Sequence, residues 1–285
     1  MIIKERAVLL FAVLFVISLV LAAGICLFAG AFDSGVWYWL LPVSALGAFL
    51  IQAALVFAYL MYLCSRVDQN VPQERDDPHY RKVTDLILES VLPILRIRIR
   101  KSGMDKVPQE GRFLLVCNHC DLSDPILLLR CFRKFQLAFI SKQENSTMFV
   151  IGPMMHKLQC QLINRENDRE ALKTILRCIQ ILKEDKASIG VFPEGGILTE
   201  DGKLHHFKPG VFKIAQKAKV PIVVCCMKNT KEVVKNLLRG RGTKVTMDVL
   251  EVIPAERVLE MKTVEIAEYC HALVAQALGP DMVSD

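Results

Sequence analysis

Two uncharged apolar runs near the N-terminus limit what this chain can fold into. Neither Ala7 to Phe32 nor Val36 to Cys64 contains a charged residue, and only Asp33, Ser34 and Gly35 separate them. Each run exceeds the roughly 20 residues a helix needs to cross about 30 Å of hydrocarbon. The short polar break between them predicts a helical hairpin in a lipid bilayer, covering residues 1–66 with helices at about 7–32 and 36–64. A signal sequence also begins with basic residues such as Lys4 and Arg6, but its apolar core spans only roughly 7–15 residues. Trp37, Tyr38 and Trp39 at one end and Tyr59 and Tyr62 at the other suit membrane interfaces. The same pattern fits two segments that re-enter one leaflet without crossing.

Basic residues set the expected orientation. Lys4 and Arg6 precede the hairpin, Arg66, Arg75, Arg81 and Lys82 follow it, and its turn has none. The positive-inside tendency then puts both ends, and residues 67–285 as a catalytic domain, on the cytoplasmic face of an integral membrane protein. Ten scattered cysteines fit free thiols in a reducing compartment better than a disulfide framework. Cys117 and Cys120 form one C-x-x-C with no second pair, so they read as small apolar residues rather than zinc ligands.

Arg66 to Pro78 is polar and reads as a linker. Beyond it, segments of period two or unbroken apolar character alternate with segments of period 3.6. Strands are expected at 95–100, 113–117, 136–140, 160–163, 188–192, 220–227 and 243–253. Helices are expected from Ser123-Asp124-Pro125 onward, over 168–182, over 211–219, and along Ile266, Cys270, Leu273, Val274 and Ala277 until Gly279-Pro280. Alternation of this kind predicts an α/β layered domain with a mostly parallel central sheet flanked by helices.

Two clusters carry chemistry. His119 follows a buried strand and Asp124 stands where a helix begins, in the kind of strand-to-helix loop where α/β sheets place their sites. A carboxylate at a helix N-cap is held by backbone N–H groups. From there Asp124 would accept the Nδ1 proton of His119 and leave Nε2 as a general base. This is the base half of a serine-hydrolase triad, with the nucleophilic hydroxyl brought by the substrate. The second cluster, Phe192-Pro193-Glu194-Gly195-Gly196, bends the backbone after another strand and holds one carboxylate. Elsewhere, Lys228, Lys231, Lys235, Arg239, Arg241 and Lys244 form a basic run opposed only by Glu232. It suits anionic headgroups, a phosphorylated acyl carrier, or a solvated helix face. His205-His206 has no ligand partner at helical spacing, and His79, His156 and His271 have no companions. A net charge of +6 on a bilayer-tethered chain argues against nucleic acid.

Together the clusters resemble the glycerolipid acyltransferase family, which includes the 1-acylglycerol-3-phosphate acyltransferases. Asn118, His119 and Asp124 match its first motif, and Phe192, Pro193, Glu194 and Gly195 its Phe-Pro-Glu-Gly motif. Ile163-Asn164-Arg165 is similar to its arginine motif, Val220-Pro221-Ile222-Val223 to its later proline motif, and Phe207-Lys208-Pro209-Gly210 to a further common element. The resemblance covers roughly residues 90 to 250.

It implies that His119 and Asp124 are catalytic, and that Arg165 and Lys208 bind the acceptor phosphate by charge-assisted hydrogen bonds. Glu194 and Gly195 would shape the acceptor pocket. No metal or other cofactor is implied. The partners would be the bilayer, a lysophospholipid acceptor, and acyl-CoA or acyl-carrier protein as donor. The implied reaction moves a fatty acyl group from the thioester to a lysophospholipid hydroxyl, most simply turning 1-acylglycerol-3-phosphate into phosphatidic acid. Many members continue with Thr-Arg where this chain has Gly196-Ile197. That departure keeps another lysolipid, an aminolipid or glycerol 3-phosphate open as acceptor. A non-catalytic membrane scaffold of the same fold is the alternative from a different class.

Overall fold

A computed structural model describes residues 3–164, 166–197 and 203–283. The chain divides into two compact units. One holds the residues up to Asp68 with Glu89–Val91, and the other holds Gln69–Leu88 and the chain from Leu92 onward.

In the first unit, helices α1 (Ile3–Phe28) and α2 (Trp37–Ser65) pack against each other. Small side chains, Ala22, Cys26 and Ala31, are fully buried. Gln52 donates from Nε2 to Ser18 Oγ at 2.8 Å, a polar link between the helices. Phe15, Val20, Leu46 and Phe57 point outward and are more than half exposed, an apolar surface that water tolerates poorly. Helix α1 ends at Phe28, four residues before the apolar run does. Turns take over there, with Gly30 and Gly35 at φ +64° and +71°, values glycine adopts without strain. Helix α2 is long and apolar enough to cross a membrane, and Ala12–Phe28 of α1 is a shorter apolar segment.

The second unit contains α3 (Pro78–Ile94), β1 (Ile97–Ser102), β2 (Leu114–Cys117), α4 (Asp124–Cys131), β3 (Leu137–Lys142), α5 (Ile151–Lys157) and β4 (Gln161–Ile163). It continues with α6 (Asp168–Lys183), β5 (Ser188–Val191), α7 (Lys213–Ala218), β6 (Ile222–Lys228), α8 (Glu232–Leu238), β7 (Thr243–Ile253), α9 (Ala255–Glu260) and α10 (Thr263–Leu278). The strands form one sheet in the order β1-β7-β6-β2-β5-β3-β4. Every neighbouring pair is parallel except β6 and β7. This is the α/β layered domain with a mostly parallel sheet that the alternating pattern predicts.

Strands β2 and β5 are buried along their whole length, as expected for unbroken apolar runs covered on both faces. Leu114 and Val116 point into a core shared with α6, α7 and α10. Leu115 and Cys117 point into the opposite core with Leu127 and Leu128 of α4. After β2 the chain crosses β5 to reach β3. After β5 it crosses β2 to reach β6. Adjacent strands whose connections leave in opposite directions open a crevice at their carboxyl ends, the usual ligand position in such sheets.

Helices α3, α5, α8 and α9 have no counterpart in the sequence expectations. Three of them span only six or seven residues, too few for a period to show. Part of the expected helix over 211–219 is a 3-10 turn, Pro209–Phe212, preceding α7. The polar stretch read as a linker is tied down at its far end. Asp76 is buried and takes two hydrogen bonds from Arg81, at 2.7 and 3.1 Å. The Gln73 carbonyl accepts from Gln159 and Arg177.

Gly190 sits in β5 against Phe139 of β3, and a Cβ there would come within 2.4 Å of the Phe139 ring. Gly190→Val should therefore lower unfolding stability by about 1–3 kcal/mol through overpacking. Thermal unfolding in detergent checks this, and an unchanged midpoint would contradict it.

Candidate active site

The loop that follows β2 carries Asn118, His119 and Asp124. Asn118 continues the pairing of β2 with β6 through its side chain. Its Nδ2 donates to the Met227 carbonyl at 2.9 Å, and its Oδ1 accepts from the Met227 N–H at 2.8 Å. This two-point clamp fixes where the loop leaves the sheet. Nδ2 also reaches the Cys120 sulfur at 3.2 Å.

Asp124 is fully buried. Its Oδ2 accepts from the backbone N–H of Cys120 at 2.7 Å and of Asp121 at 2.8 Å, and lies 2.9 Å from His119 Nδ1. The sequence expectation of an N-cap needs correction. Asp124 is the first residue of α4, and the amides that hold it come from the loop before the helix. Ser123, in the cap position, makes no side-chain capping bond, and Pro125 is the second helical residue. An N-cap would point the carboxylate at its own helix, whereas here it closes a ring with the two residues after His119. An oxygen already accepting two amide protons is held as an acceptor, which favours a proton on Nδ1 and leaves Nε2 turned away from Asp124. No described protein group bonds to Nε2.

The loop after β5 supports the other side. Phe192 stacks on the His119 ring, with centroids 4.1 Å apart and planes 21° from parallel. Phe192 in turn stacks on Phe139 at 5.6 Å. The row of rings fixes the imidazole plane, while Asp124 fixes its rotation about the stack.

Glu194 is buried. Its Oε1 accepts from the His119 N–H at 2.6 Å, and its Oε2 accepts from the His205 N–H at 3.0 Å. It latches together the loops after β2 and β5. Burial pushes the Glu194 carboxyl up to about 7. The backbone N–H donors of His205 and His119 oppose that rise, and the Asp124 charge adds to it. Gly195 has φ +87°, and a Cβ there would lie 2.8 Å from the Lys208 ammonium. Lys208 donates its backbone N–H to the Pro193 carbonyl at 2.9 Å, which brings it to the same turn with its side chain exposed. Of the residues singled out in the sequence, His119, Asp124, Glu194, Gly195 and Lys208 thus converge on one end of the sheet. Arg165 lies outside the described residues.

Burial pushes the Cys120 thiol up to about 12. Asp124 adds to this, while the Asn118 hydrogen bond and the nearby Lys231 ammonium oppose it. His271, expected to stand alone, stacks on His206 at 5.5 Å and meets Phe207 edge-on at 5.3 Å. Among the described residues, no group of three or more His, Cys, Asp or Glu side chains could hold a metal ion. Nothing in the sequence points to the stack of Phe192 on His119 or to the Asn118 clamp. Both rest on residues far apart in the chain, and only the sheet order brings them together.

Residues 98–228 match the family model described as Acyltransferase. The chain is 30% identical over 163 residues to a chloroplast 1-acyl-sn-glycerol-3-phosphate acyltransferase of Arabidopsis thaliana; the match takes in 55% of this chain and 44% of that protein, less than half its length. It is 27% identical over 251 residues to a 1-acyl-sn-glycerol-3-phosphate acyltransferase of Chlamydomonas reinhardtii, taking in 87% of this chain and 69% of that one. In fold it is similar to the crystal structure of the 1-acyl-sn-glycerophosphate acyltransferase of Thermotoga maritima. The TM-score is 0.60 at 20% identity, over 81% of this chain and 91% of that one.

Folding raises the Glu194 carboxyl from its ordinary 4.5 to about 7, so the folded state takes up a proton between those values. The stability this residue contributes is greatest below that window and is lost as pH rises through about 7. The unfolding midpoint of wild type relative to Glu194→Gln should therefore fall between about pH 5 and pH 8. A difference that does not change with pH would contradict this assignment.

Proposed function

We propose that the chain is an acyltransferase, a reading supported by the Acyltransferase match over residues 98–228, and that it transfers a fatty acyl group from a thioester to a hydroxyl of a lysophospholipid. The preferred acceptor is 1-acylglycerol-3-phosphate, the substrate in the names of the relatives above. The observation that carries the reading is the His119–Asp124 pair, with Nδ1 held at 2.9 Å by a buried carboxylate and Nε2 unpartnered at the sheet's switch point.

The chemistry follows from these groups. The acceptor hydroxyl approaches Nε2 and gives up its proton as its oxygen bonds to the thioester carbonyl carbon. The imidazolium is stabilised by Asp124 without proton transfer to it. As the tetrahedral intermediate collapses, the C–S bond breaks and the imidazolium proton goes to the departing thiolate. The products are an ester and a free thiol. The N–H groups of His119, Cys120 and Asp121 are already committed to Glu194 and Asp124, so the developing oxyanion draws on other donors.

Lys208, whose ammonium lies beside Gly195, would meet the acceptor phosphate, and Arg165 would share that role. Glu194 and Gly195 act on the pocket by fixing its walls. Acyl-CoA or acyl-carrier protein serves as donor, and no metal or other cofactor takes part. The domain division of the reading is a membrane hairpin over 1–66 and a cytoplasmic catalytic domain over 67–285. Helix α2, apolar over its length, supports membrane residence. Gly196-Ile197 favours including other lysolipids among the acceptors tested.

Purified full-length protein, given each donor and a panel of lysolipids, should release thiol and form diacyl product. His119→Ala and Asp124→Asn should each lower kcat by about 10²–10⁴ with little change in unfolding midpoint. Equal activity of wild type and His119→Ala, or no turnover by wild type on any acceptor, would overturn the reading.

A further inference from the structure

The connection from β6 to β7 leaves the sheet at the end that holds the site. The Asn118 side chain is bonded to Met227 near the end of β6, and Lys228 pairs with Thr246 near the start of β7. Within this connection α8 turns by about 100° per residue. Val233 faces inward and is buried. Val234 and Leu238, four residues apart on one outward stripe, are 56% and 83% exposed. Lys231, Lys235 and Arg239 fall on the adjacent stripe, and Arg241 follows just after the helix, all exposed. Between Lys228 and Lys244 the only acidic residue is Glu232. Its contact with Lys235, at 3.4 Å between side chains about half exposed, neutralises little.

We infer that residues 231–241 form a surface that docks the catalytic domain on the anionic face of a lipid bilayer. The exposed Leu238 and Val234 would enter the outer hydrocarbon while the neighbouring cations meet lipid phosphates. Cations beside an apolar stripe match the two layers of such an interface. An acidic protein partner would satisfy the charges but would leave side chains as exposed as Leu238 unexplained. The surface is distinct from the His119 site, although Lys231 lies near the Cys120 thiol. Docking here would set the site beside the membrane that carries its proposed acceptor. The inference goes beyond the proposed reaction and does not need it to hold.

Hydrogen exchange of the full chain in nanodiscs provides the test. Amides over 231–241 should exchange several-fold more slowly with phosphatidylglycerol present than in phosphatidylcholine alone, and raised salt should reverse the effect. The triple change Lys235→Glu, Arg239→Glu, Arg241→Glu should abolish that protection, as should Val234→Ser with Leu238→Ser, while β6 and β7 keep their own. His119→Ala should retain the protection, which separates docking from turnover. Equal exchange in both nanodiscs, or protection by acidic acyl-carrier protein but not by phosphatidylglycerol, would overturn the inference.

Discussion

A carboxylate taken fully out of water must be met by donors, and the site is shaped by how Asp124 meets them. Desolvating an unpaired carboxylate costs far more than a domain can spare. Asp124 gathers two amides and one imidazole on a single oxygen, and its other oxygen has no partner among the described residues. The donors lie three to five positions earlier in the chain, so satisfying the charge forces the loop into a tight ring. That ring holds His119 with one nitrogen turned in and the other turned out. Moving the carboxylate elsewhere would remove the reason for the loop's shape along with the partner of His119 Nδ1.

The ring would still drift if its base were loose. Asn118 prevents this by tying the start of the loop to β6, and Glu194 does so by tying it to the loop after β5. The third support is aromatic. Phe139, Phe192 and His119 stack in sequence from β3 to the site, and the bare backbone of Gly190 leaves the first ring its space. Three strands that are neighbours only through two crossovers therefore share one mechanical assembly, and it lies at the sheet's switch point.

Much of this could be read from the residues. Unbroken apolar runs such as 113–117 and 220–227 point to the buried strands, and the His119/Asp124 spacing points to the loop in which those two side chains meet. The sequence did not show the source of Asp124's donors. A cap position and the first helical residue look alike in the sequence, and only backbone direction distinguishes them. Glu194 is similar. Its motif announced importance but not that both oxygens serve as a latch, because His205 is eleven residues away across a loop. Short helices such as α8 left no period, so the basic residues around it read as a run without a face. The polar composition of residues 66–78 concealed Asp76, whose burial depends on the partner Arg81.

If residues 231–241 rest on anionic lipid, membrane contact and catalysis sit at the same end of one sheet. An acceptor could then present its hydroxyl to Nε2 without leaving the interface. All of this depends on which imidazole nitrogen bears the proton. Nitrogen-15 NMR of selectively histidine-labelled full-length protein, assigned by loss of a signal in His119→Ala, reads that directly. The account predicts a neutral His119 ring protonated at Nδ1 with a deshielded, hydrogen-bonded proton and bare Nε2. A ring protonated at Nε2, or one whose signals are unmoved by Asp124→Asn, would contradict it.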